Sequence, residues 1–314
     1  MTAASPTLAG QQQDRLANIL LFVTPALFAS NNLAAKIVAD YFPPVALAVL
    51  RWGGVVLLLL AFVWPELWRH RAHLKAKAWH YIVLGTLGMS ICGALVYIGA
   101  QTTTATNISL IYAASPVVVI TLAYFFFNET PTRIQLAGTA LAILGVLLII
   151  LKGDIATLLT LNFTMGDLYI VGTASSWALY TVLIKHWPSP LSTYARLAAV
   201  AVPGVIVLLP FLGWEIASVG FPPFDLRNIA TVIFLILVPG IAAYSAHGFV
   251  TRQIGASKSG LMLYLPPIYV VSYAWAFLGE KLYWHHWIGA AMVLPGIYIA
   301  TQFGRRPPPP EEPV

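Results

Sequence analysis

Charged residues are scarce in this sequence. Asp, Glu, Lys and Arg make up 9% of its 314 residues and hydrophobic residues make up 59%, whereas roughly 25% of the residues in soluble domains are charged. So few charges cannot cover the water-exposed surface of a folded chain of this length, and we predict that much of the surface faces lipid. The net charge of +6 is the basic excess that cytoplasmic membrane loops carry, and we expect no binding of nucleic acid.

Cysteine is almost absent as well. The single cysteine, Cys92, lies inside an apolar run, so the chain cannot form an intrachain disulfide. A lone cysteine in such a run is typical of a small core residue, and that is the role we predict for it.

The sequence also lacks the motifs that carry most enzymatic chemistry. It contains no P-loop, no dinucleotide fingerprint, no His-Glu-x-x-His motif, and no Cys and His set with the spacing of metal ligands. We therefore predict that the protein is not an enzyme, that it uses no cofactor or metal, and that it does not hydrolyse ATP.

Long apolar runs are abundant. A helix needs roughly 20 apolar residues to cross a hydrocarbon core about 30 Å thick, and ten runs of about this length follow one another along the chain. They occupy residues 17–37, 44–64, 79–100, 105–127, 134–152, 166–185, 192–213, 228–249, 258–279 and 284–303. The sequence therefore predicts an all-α polytopic membrane protein with ten transmembrane helices. No small-residue cleavage site follows the first run, so we expect a retained helix and not a signal peptide.

The positions of Lys and Arg predict the orientation of these helices. With a cytoplasmic N-terminus, eleven of the seventeen basic residues lie in cytoplasmic segments, four lie on the other side and two lie within spans. Since cytoplasmic loops are enriched in Lys and Arg, we expect both termini in the cytoplasm. Residues 1–16 are then a cytoplasmic N-terminal segment, and residues 304–314 are a disordered Pro-rich cytoplasmic tail.

The two halves of the chain resemble each other. Four residues of the first half recur 151 positions later: Pro116 as Pro267, Glu129 as Glu280, Gly138 as Gly289, and Gly145 as Gly296. The repeats cover residues 17–152 and 166–303, and each contains five predicted spans. Because five is odd, the second repeat enters the membrane from the opposite side. Such inverted repeats recur in secondary transporters, whose halves expose a central site to each side in turn.

Few charges are predicted within the membrane. None of the eleven acidic residues lies at a predicted midplane, and a proton-coupled carrier usually has a titratable group there, so we predict facilitated movement. His247 is the titratable candidate, with a hydrogen-bonded structural role as the alternative. We expect Arg51 and Arg196 to snorkel or to pair with backbone carbonyls near an interface. Glu129 and Glu280 are predicted to cap the helices that follow them.

Polar and aromatic side chains cluster near the predicted midplane. The candidate substrate-binding residues are Asn31, Tyr97, Tyr112, Ser115, Trp177, Tyr180, Tyr244, His247 and Tyr264. Rings with a few neutral hydrogen-bonding groups suit an uncharged or zwitterionic organic solute with an apolar part. Interfacial aromatic belts and polar contacts between helices are the alternatives. Pro116 and Pro267 are candidate gating hinges, with architectural kinks as the alternative.

Several motifs together resemble the ten-span EamA-type members of the drug/metabolite transporter superfamily. They are Phe28-Ala29 followed by Lys36, Leu50-Arg51, Pro116, the Asn-Glu-Thr-Pro segment at 128–131, Gly138 and Gly145. The resemblance covers nearly the whole chain. The superfamily includes exporters of aromatic amino acids, so the resemblance implies efflux across a bacterial inner membrane through a central cavity.

The predicted function is therefore export of amino acids, aromatic or other apolar ones, by alternating access. A carrier of another metabolite or of a drug is one alternative, and a non-transporting membrane enzyme or assembly subunit is another. Phosphorylated solutes fit less well, since a phosphate needs paired cationic donors and Arg and Lys are scarce at the predicted midplane. We expect the lipid bilayer and a small solute as partners, and no obligate protein partner.

Overall fold

The computed structural model is built from helices. It describes residues 8–38, 42–103, 105–154, 156, 159, 164–222, 225–278 and 281–302, and these ranges contain no β-strand. The predicted N-terminal segment is described from residue 8 onward, where it is already helical. The predicted Pro-rich tail at 304–314 and Glu280 lie outside the described residues.

The described helices follow the predicted apolar runs closely. In chain order they are α1 (Leu8–Val38), α2 (Pro44–Arg69), α3 (Arg71–Ala76), α4 (Ala78–Ala100), α5 (Ala105–Phe127), α6 (Arg133–Ile150), α7 (Met165–His186), α8 (Thr193–Val219), α9 (Leu226–Ile254), α10 (Ala256–Gly260), α11 (Pro266–Leu278) and α12 (Trp284–Gln302). Within the described ranges, six of them are long and apolar enough to cross a membrane, namely α2, α4, α6, α7, α8 and α9. Ala114–Phe127 of α5 is a shorter apolar stretch.

The run predicted as one helix at 258–279 is interrupted. α10 ends at Gly260, a 3-10 turn covers Leu261–Tyr264, and α11 begins at Pro266. Proline lacks a backbone N–H and is tolerated in the first turn of a helix, where that group has no intrahelical partner. Pro267 therefore lies at a helix start, whereas Pro116 lies inside α5.

Two long helices contain a π-helical segment that the sequence pattern did not predict. The segments are Thr86–Ile91 in α4 and Ile236–Ala242 in α9. Each contains a carbonyl that accepts a side-chain hydrogen bond from another helix: Gly88 O from the Tyr244 hydroxyl at 2.8 Å, and Pro239 O from the Arg51 guanidinium at 3.0 Å. Widened turns of this kind are frequent at functional sites.

Glycines bring α6 and α12 into backbone contact. A Cβ added to Gly138 would lie 2.5 Å from the carbonyl oxygen of Gly296, and one added to Gly145 would lie 2.7 Å from that of Gly289. Since the contacts pair an earlier residue of α6 with a later residue of α12, the two helices run antiparallel. Only residues without a side chain permit so close an approach.

Two carboxylates connect α2 and α8 in a reciprocal arrangement. Glu215, near the end of α8, accepts hydrogen bonds from the backbone N–H groups of Val45 and Ala46 at 2.9 and 2.7 Å. Glu66, near the end of α2, accepts from the N–H of Ser192 at 2.5 Å, immediately before α8 begins. Each carboxylate thus satisfies free donors at the N-terminus of the other helix and interacts favourably with its dipole.

Replacing Glu215 by alanine is expected to destabilise the bundle by about 1–2 kcal/mol, because two N–H groups at the start of α2 lose their acceptors. The measurement is the midpoint of thermal unfolding in detergent, which should fall by several degrees. Ser218→Ala is the matched control, since Ser218 is exposed and its hydroxyl donates only to Trp214 O of its own helix. Equal midpoints for the two variants would contradict the capping role.

Candidate functional site

A central cavity lies between the helices. It offers about 110 Å³ to the centre of a water-sized molecule and is partly open to solvent. Its walls are Phe28, Asn31, Arg51, Cys92, Val96, Ile108, Tyr112, Thr173, Trp177, Tyr244, Leu263, Pro266 and Pro267. These residues come from α1, α2, α4, α5, α7, α9, α11 and the 3-10 turn, so both halves of the chain build the cavity.

Three rings form one wall of the cavity. Phe28, Trp177 and Tyr244, here called the aromatic triad, have ring centroids 5.2 to 5.4 Å apart and meet edge to face in all three pairs. Such contacts add stabilisation beyond the area that the rings bury. Behind the triad, His247 and Tyr180 lie 4.6 and 5.5 Å from the Trp177 ring, so the apolar wall is rigidly supported.

Arg51 forms the polar corner of the cavity. Its guanidinium donates to Asn31 Oδ1 at 3.0 Å, to the Tyr97 hydroxyl at 3.2 Å and to Pro239 O at 3.0 Å. Its Cζ atom also lies over the Trp52 ring, 4.7 Å from the centroid. Three helices besides its own therefore hold this side chain, which is only 3% exposed.

The predicted site residues fall into three groups. Asn31, Tyr112, Trp177 and Tyr244 line the cavity, together with the candidate hinge Pro267. Tyr97, Tyr180 and His247 are buried one layer behind it, where Tyr97 donates to Asn31 Oδ1 at 2.8 Å and His247 Nε2 lies 3.4 Å from the Thr181 hydroxyl.

The third group lies away from the cavity. Ser115, Tyr264 and the candidate hinge Pro116 are buried, but none of them is among the cavity walls. Tyr264 packs in a separate apolar cluster with Leu21 and Met262. The structure therefore does not bring these three residues to the cavity walls; Tyr264 lies in the 3-10 turn that interrupts the ninth run.

Arg51 corrects one prediction. We expected it to snorkel or to pair with a backbone carbonyl near an interface. It does donate to a backbone carbonyl, Pro239 O, but it also lines the cavity. A cation within an apolar run by itself indicates a functional residue. For Arg51 this indication was the better guide, although the residue lies close to the start of α2. Phe28, Cys92 and Thr173 also line the cavity, although we did not predict them as site residues. Phe28 could have been predicted, because it is the repeat counterpart of Trp177.

Arg196 and Glu129, two other charged residues singled out in the sequence, are not among the cavity walls. Arg196 donates to the carbonyls of Ile184 and Trp187 at 2.7 and 2.6 Å, as expected for a structural arginine. Thr132 supplies the side-chain cap of α6, accepting from Gln135 N at 3.1 Å. Glu129 Oε1 lies 2.8 Å from His186 Nε2. This contact joins Glu129 to α7 and not to α6, the helix that it was predicted to cap.

Cys92 offers a direct probe of the cavity, since it is the single cysteine of the chain and lines the wall while only 8% exposed. We expect a small neutral thiol reagent, methyl methanethiosulfonate, to label Cys92 and to inhibit flux. A bound solute should slow labelling about tenfold at a concentration about nine times its Kd, by mass action. Cys92→Ser is the control that should not be labelled. Labelling at the same rate with and without a transported solute would show that Cys92 does not lie on the solute pathway.

Comparison with known proteins places the chain in a family. The model of the EamA-like transporter family matches it twice, over residues 15–151 and 164–302. A solved crystal structure of a protein shares its fold, with a TM-score of 0.69 and 17% sequence identity over 92% of this chain and 99% of that one.

Three relatives illustrate the range of names in this group. The uncharacterized transporter YyaM of Bacillus subtilis is 30% identical, over 89% of this chain and 91% of the relative. A probable amino-acid metabolite efflux pump of Salmonella typhimurium is 26% identical, over 91% and 95%. A probable terminal-alkyne amino-acid exporter of Streptantibioticus cattleyicolor is 27% identical, over 71% and 73%. The chain is a multi-pass membrane protein and belongs to the EamA-like transporter family.

Proposed function

We propose that the protein exports amino acids with aromatic or other apolar side chains through the central cavity. The observation that carries the proposal is a cavity with an apolar wall, the aromatic triad, beside a polar corner at Arg51 and Asn31. An amino acid has the same division into an apolar side chain and a polar end. The names of two relatives, an amino-acid efflux pump and an amino-acid exporter, support the same solute class.

The proposal includes ten spans in two inverted five-helix repeats. The two separate matches of one family model support the duplication. The glycine contacts support the inversion, because the contact of Gly138 with Gly296 becomes that of Gly289 with Gly145 when each residue is replaced by its repeat counterpart. α6 and α12 end the two repeats and run antiparallel, which is the relation that inverted repeats require.

We infer alternating access from where the cavity lies along the helices. It is nearer the end of the bundle at which α1 ends and α2 begins, since Asn31 and Arg51 line it. The opposite end is held by polar contacts, such as Lys185 Nζ to Arg252 O at 3.0 Å between two helices and Glu129, in the loop after α5, to His186. With both termini cytoplasmic in a bacterial inner membrane, the closed end is the cytoplasmic one, and transport requires these contacts to open.

The hinges of this motion are proposed at Pro116 and Pro267 and at the two π-helical segments. Pro116 and the two π-helical segments remove or weaken intrahelical hydrogen bonds, and Pro267 lies where the 3-10 turn gives way to α11. Tyr244 links the triad to the first π segment through Gly88 O, and Arg51 links the polar corner to the second through Pro239 O. Solute contact with either residue therefore acts directly on a deformable turn.

Uptake into proteoliposomes that contain only this protein tests the proposal. Labelled tryptophan, phenylalanine, alanine and a nucleotide sugar are compared, with and without an imposed proton gradient. We expect saturable flux of tryptophan and phenylalanine that exceeds that of alanine and does not need the gradient.

Other outcomes of the same assay would change the conclusion. Flux of the nucleotide sugar or of a drug without amino-acid flux would retain the carrier and remove the amino-acid assignment. Amino-acid flux only with a proton gradient would replace facilitated movement by coupled transport, and His247→Gln would then be the first variant to measure.

A further inference from the structure

We infer that Arg51 binds the carboxylate of the transported solute, so that the central cavity selects solutes that carry a carboxylate. The inference deepens the proposed function and rests on it for the identity of the cavity as the solute pathway. It does not require that the solute be an amino acid.

Within the part of the chain that the structure describes, no counter-charge pairs with Arg51. All three of its hydrogen-bond acceptors, an amide oxygen, a phenol and a backbone carbonyl, are neutral, and among the described residues no Asp or Glu side chain forms an ion pair with it. Burial of an uncompensated charge is costly unless an opposite charge is supplied. A solute anion entering the cavity supplies it.

The free hydrogen-bonding groups of the cavity fit an anion as well. Nε of Arg51 and Nε1 of Trp177 are buried donors without a partner, whereas Asn31 Oδ1 already accepts two hydrogen bonds. A carboxylate offers acceptors only, and charge-assisted bonds from arginine to carboxylate are among the stronger hydrogen bonds in proteins. Among the described residues, no acidic side chain lines the cavity to bind an ammonium group in the same way.

The positions of Arg51 and the aromatic triad also determine how a bound solute is oriented in the cavity. The Arg51 Cζ atom lies 5.8 Å from the ring centroid of Tyr244, which belongs to the aromatic triad. A solute whose carboxylate contacts Arg51 therefore places its apolar substituent against Phe28, Trp177 and Tyr244. The shortest solutes that satisfy both contacts are aryl- or alkyl-substituted carboxylates.

Protection of the Cys92 thiol from conversion to a methyl disulfide measures binding without relying on flux. Phenylalanine, 3-phenylpropionate and phenylalaninamide are compared with the purified full-length protein; the second lacks the amine, and the third lacks the carboxylate. We expect the two acids to slow labelling of Cys92 by methyl methanethiosulfonate and the amide to have an at least tenfold weaker effect, about the loss expected when a charged hydrogen bond is removed.

Variants of Arg51 complete the test. Arg51→Gln should weaken protection by both acids about tenfold or more and abolish the preference over the amide, and Arg51→Lys should restore part of that preference. Arg196→Gln is the matched buried arginine, and it should keep the wild-type order because Arg196 pairs with carbonyls outside the cavity. If Arg51→Gln does not fold, the comparison of acid with amide in the wild-type protein still tests whether the cavity selects a carboxylate.

Equal protection by acid and amide in the wild type, or undiminished preference for acids in both Arg51 variants, would overturn the inference. Its failure can be separated from that of the proposed function. Protection by 3-phenylpropionate through Arg51, without any amino-acid flux, supports the carboxylate site and removes the amino-acid assignment. Amino-acid flux that is unchanged in the Arg51 variants supports the amino-acid assignment and removes the carboxylate site.

Discussion

Trp177→Ala is expected to lower the initial rate of phenylalanine and tryptophan flux at least about thirtyfold, which corresponds to about 2 kcal/mol of lost interaction. The indole contacts Phe28, Tyr244, Tyr180 and His247, with ring centroids 4.6 to 5.5 Å away. Its removal deletes the centre of the apolar wall and leaves a void that the neighbouring rings cannot fill without moving. The measurement is uptake into proteoliposomes at matched protein content.

The lipid-facing surface provides a matched control for this variant. Trp214 in α8 is 75% exposed, so Trp214→Ala removes the same side chain without touching the cavity and should leave flux unchanged. Alanine flux in Trp177→Ala should fall less than tryptophan flux, because a small solute makes fewer contacts with the triad. A uniform loss for all solutes would indicate damage to the bundle and count against a role of the triad in recognition.

Gly138→Val is expected to prevent stable association of α6 with α12. Already the first carbon of a side chain would lie 2.5 Å from Gly296 O and 2.7 Å from Ala300 N, and backbone atoms cannot move aside as flexible side chains can. Overpacking of this kind costs about 1–3 kcal/mol and occasionally more. We expect a loss of monodisperse protein on size-exclusion chromatography and a lower midpoint of thermal unfolding in detergent.

Gly213→Val is the control for that experiment. An added Cβ at Gly213 meets no atom within 4 Å, while the change in helix propensity is the same in both variants, since each replaces glycine by valine inside a helix. The difference between the two midpoints therefore isolates the helix contact. Equal behaviour of the two proteins would mean that α6 and α12 do not pack through Gly138.

The helices were the most predictable part of the structure because the bilayer imposes their length. The run predicted at 105–127 coincides with α5 (Ala105–Phe127), and that at 79–100 differs from α4 by one residue. The widened turns at Thr86–Ile91 and Ile236–Ala242 were not predicted, since a π turn keeps the apolar composition of its helix. The interruption after Gly260 was missed for the same reason, although Pro266 marks where α11 begins.

The site was predictable only in part because it depends on how helices rotate against one another. Trp177 and Tyr244 could be selected as rings in the middle of apolar runs, and both line the cavity. Tyr264 satisfies the same criterion but packs into a separate cluster. Arg51 was assigned to an interface from its place along α2, whereas its direction is set by Asn31, Tyr97 and Pro239 on three other helices. Sequence position gives the depth of a residue but not the neighbours that surround it.

The isolated cation at Arg51 has a consequence for the energy supply of the cell. Any pathway for solutes through a membrane is also a potential leak for protons and sodium ions. At an effective dielectric constant of about 20, a fixed positive charge raises the energy of a monovalent cation about 5 Å away by about 3 kcal/mol, which lowers its occupancy at that point by about two orders of magnitude. Since no carboxylate among the described residues pairs with Arg51 to cancel this barrier, a cavity that binds a carboxylate-bearing solute as we infer would still oppose the entry of cations.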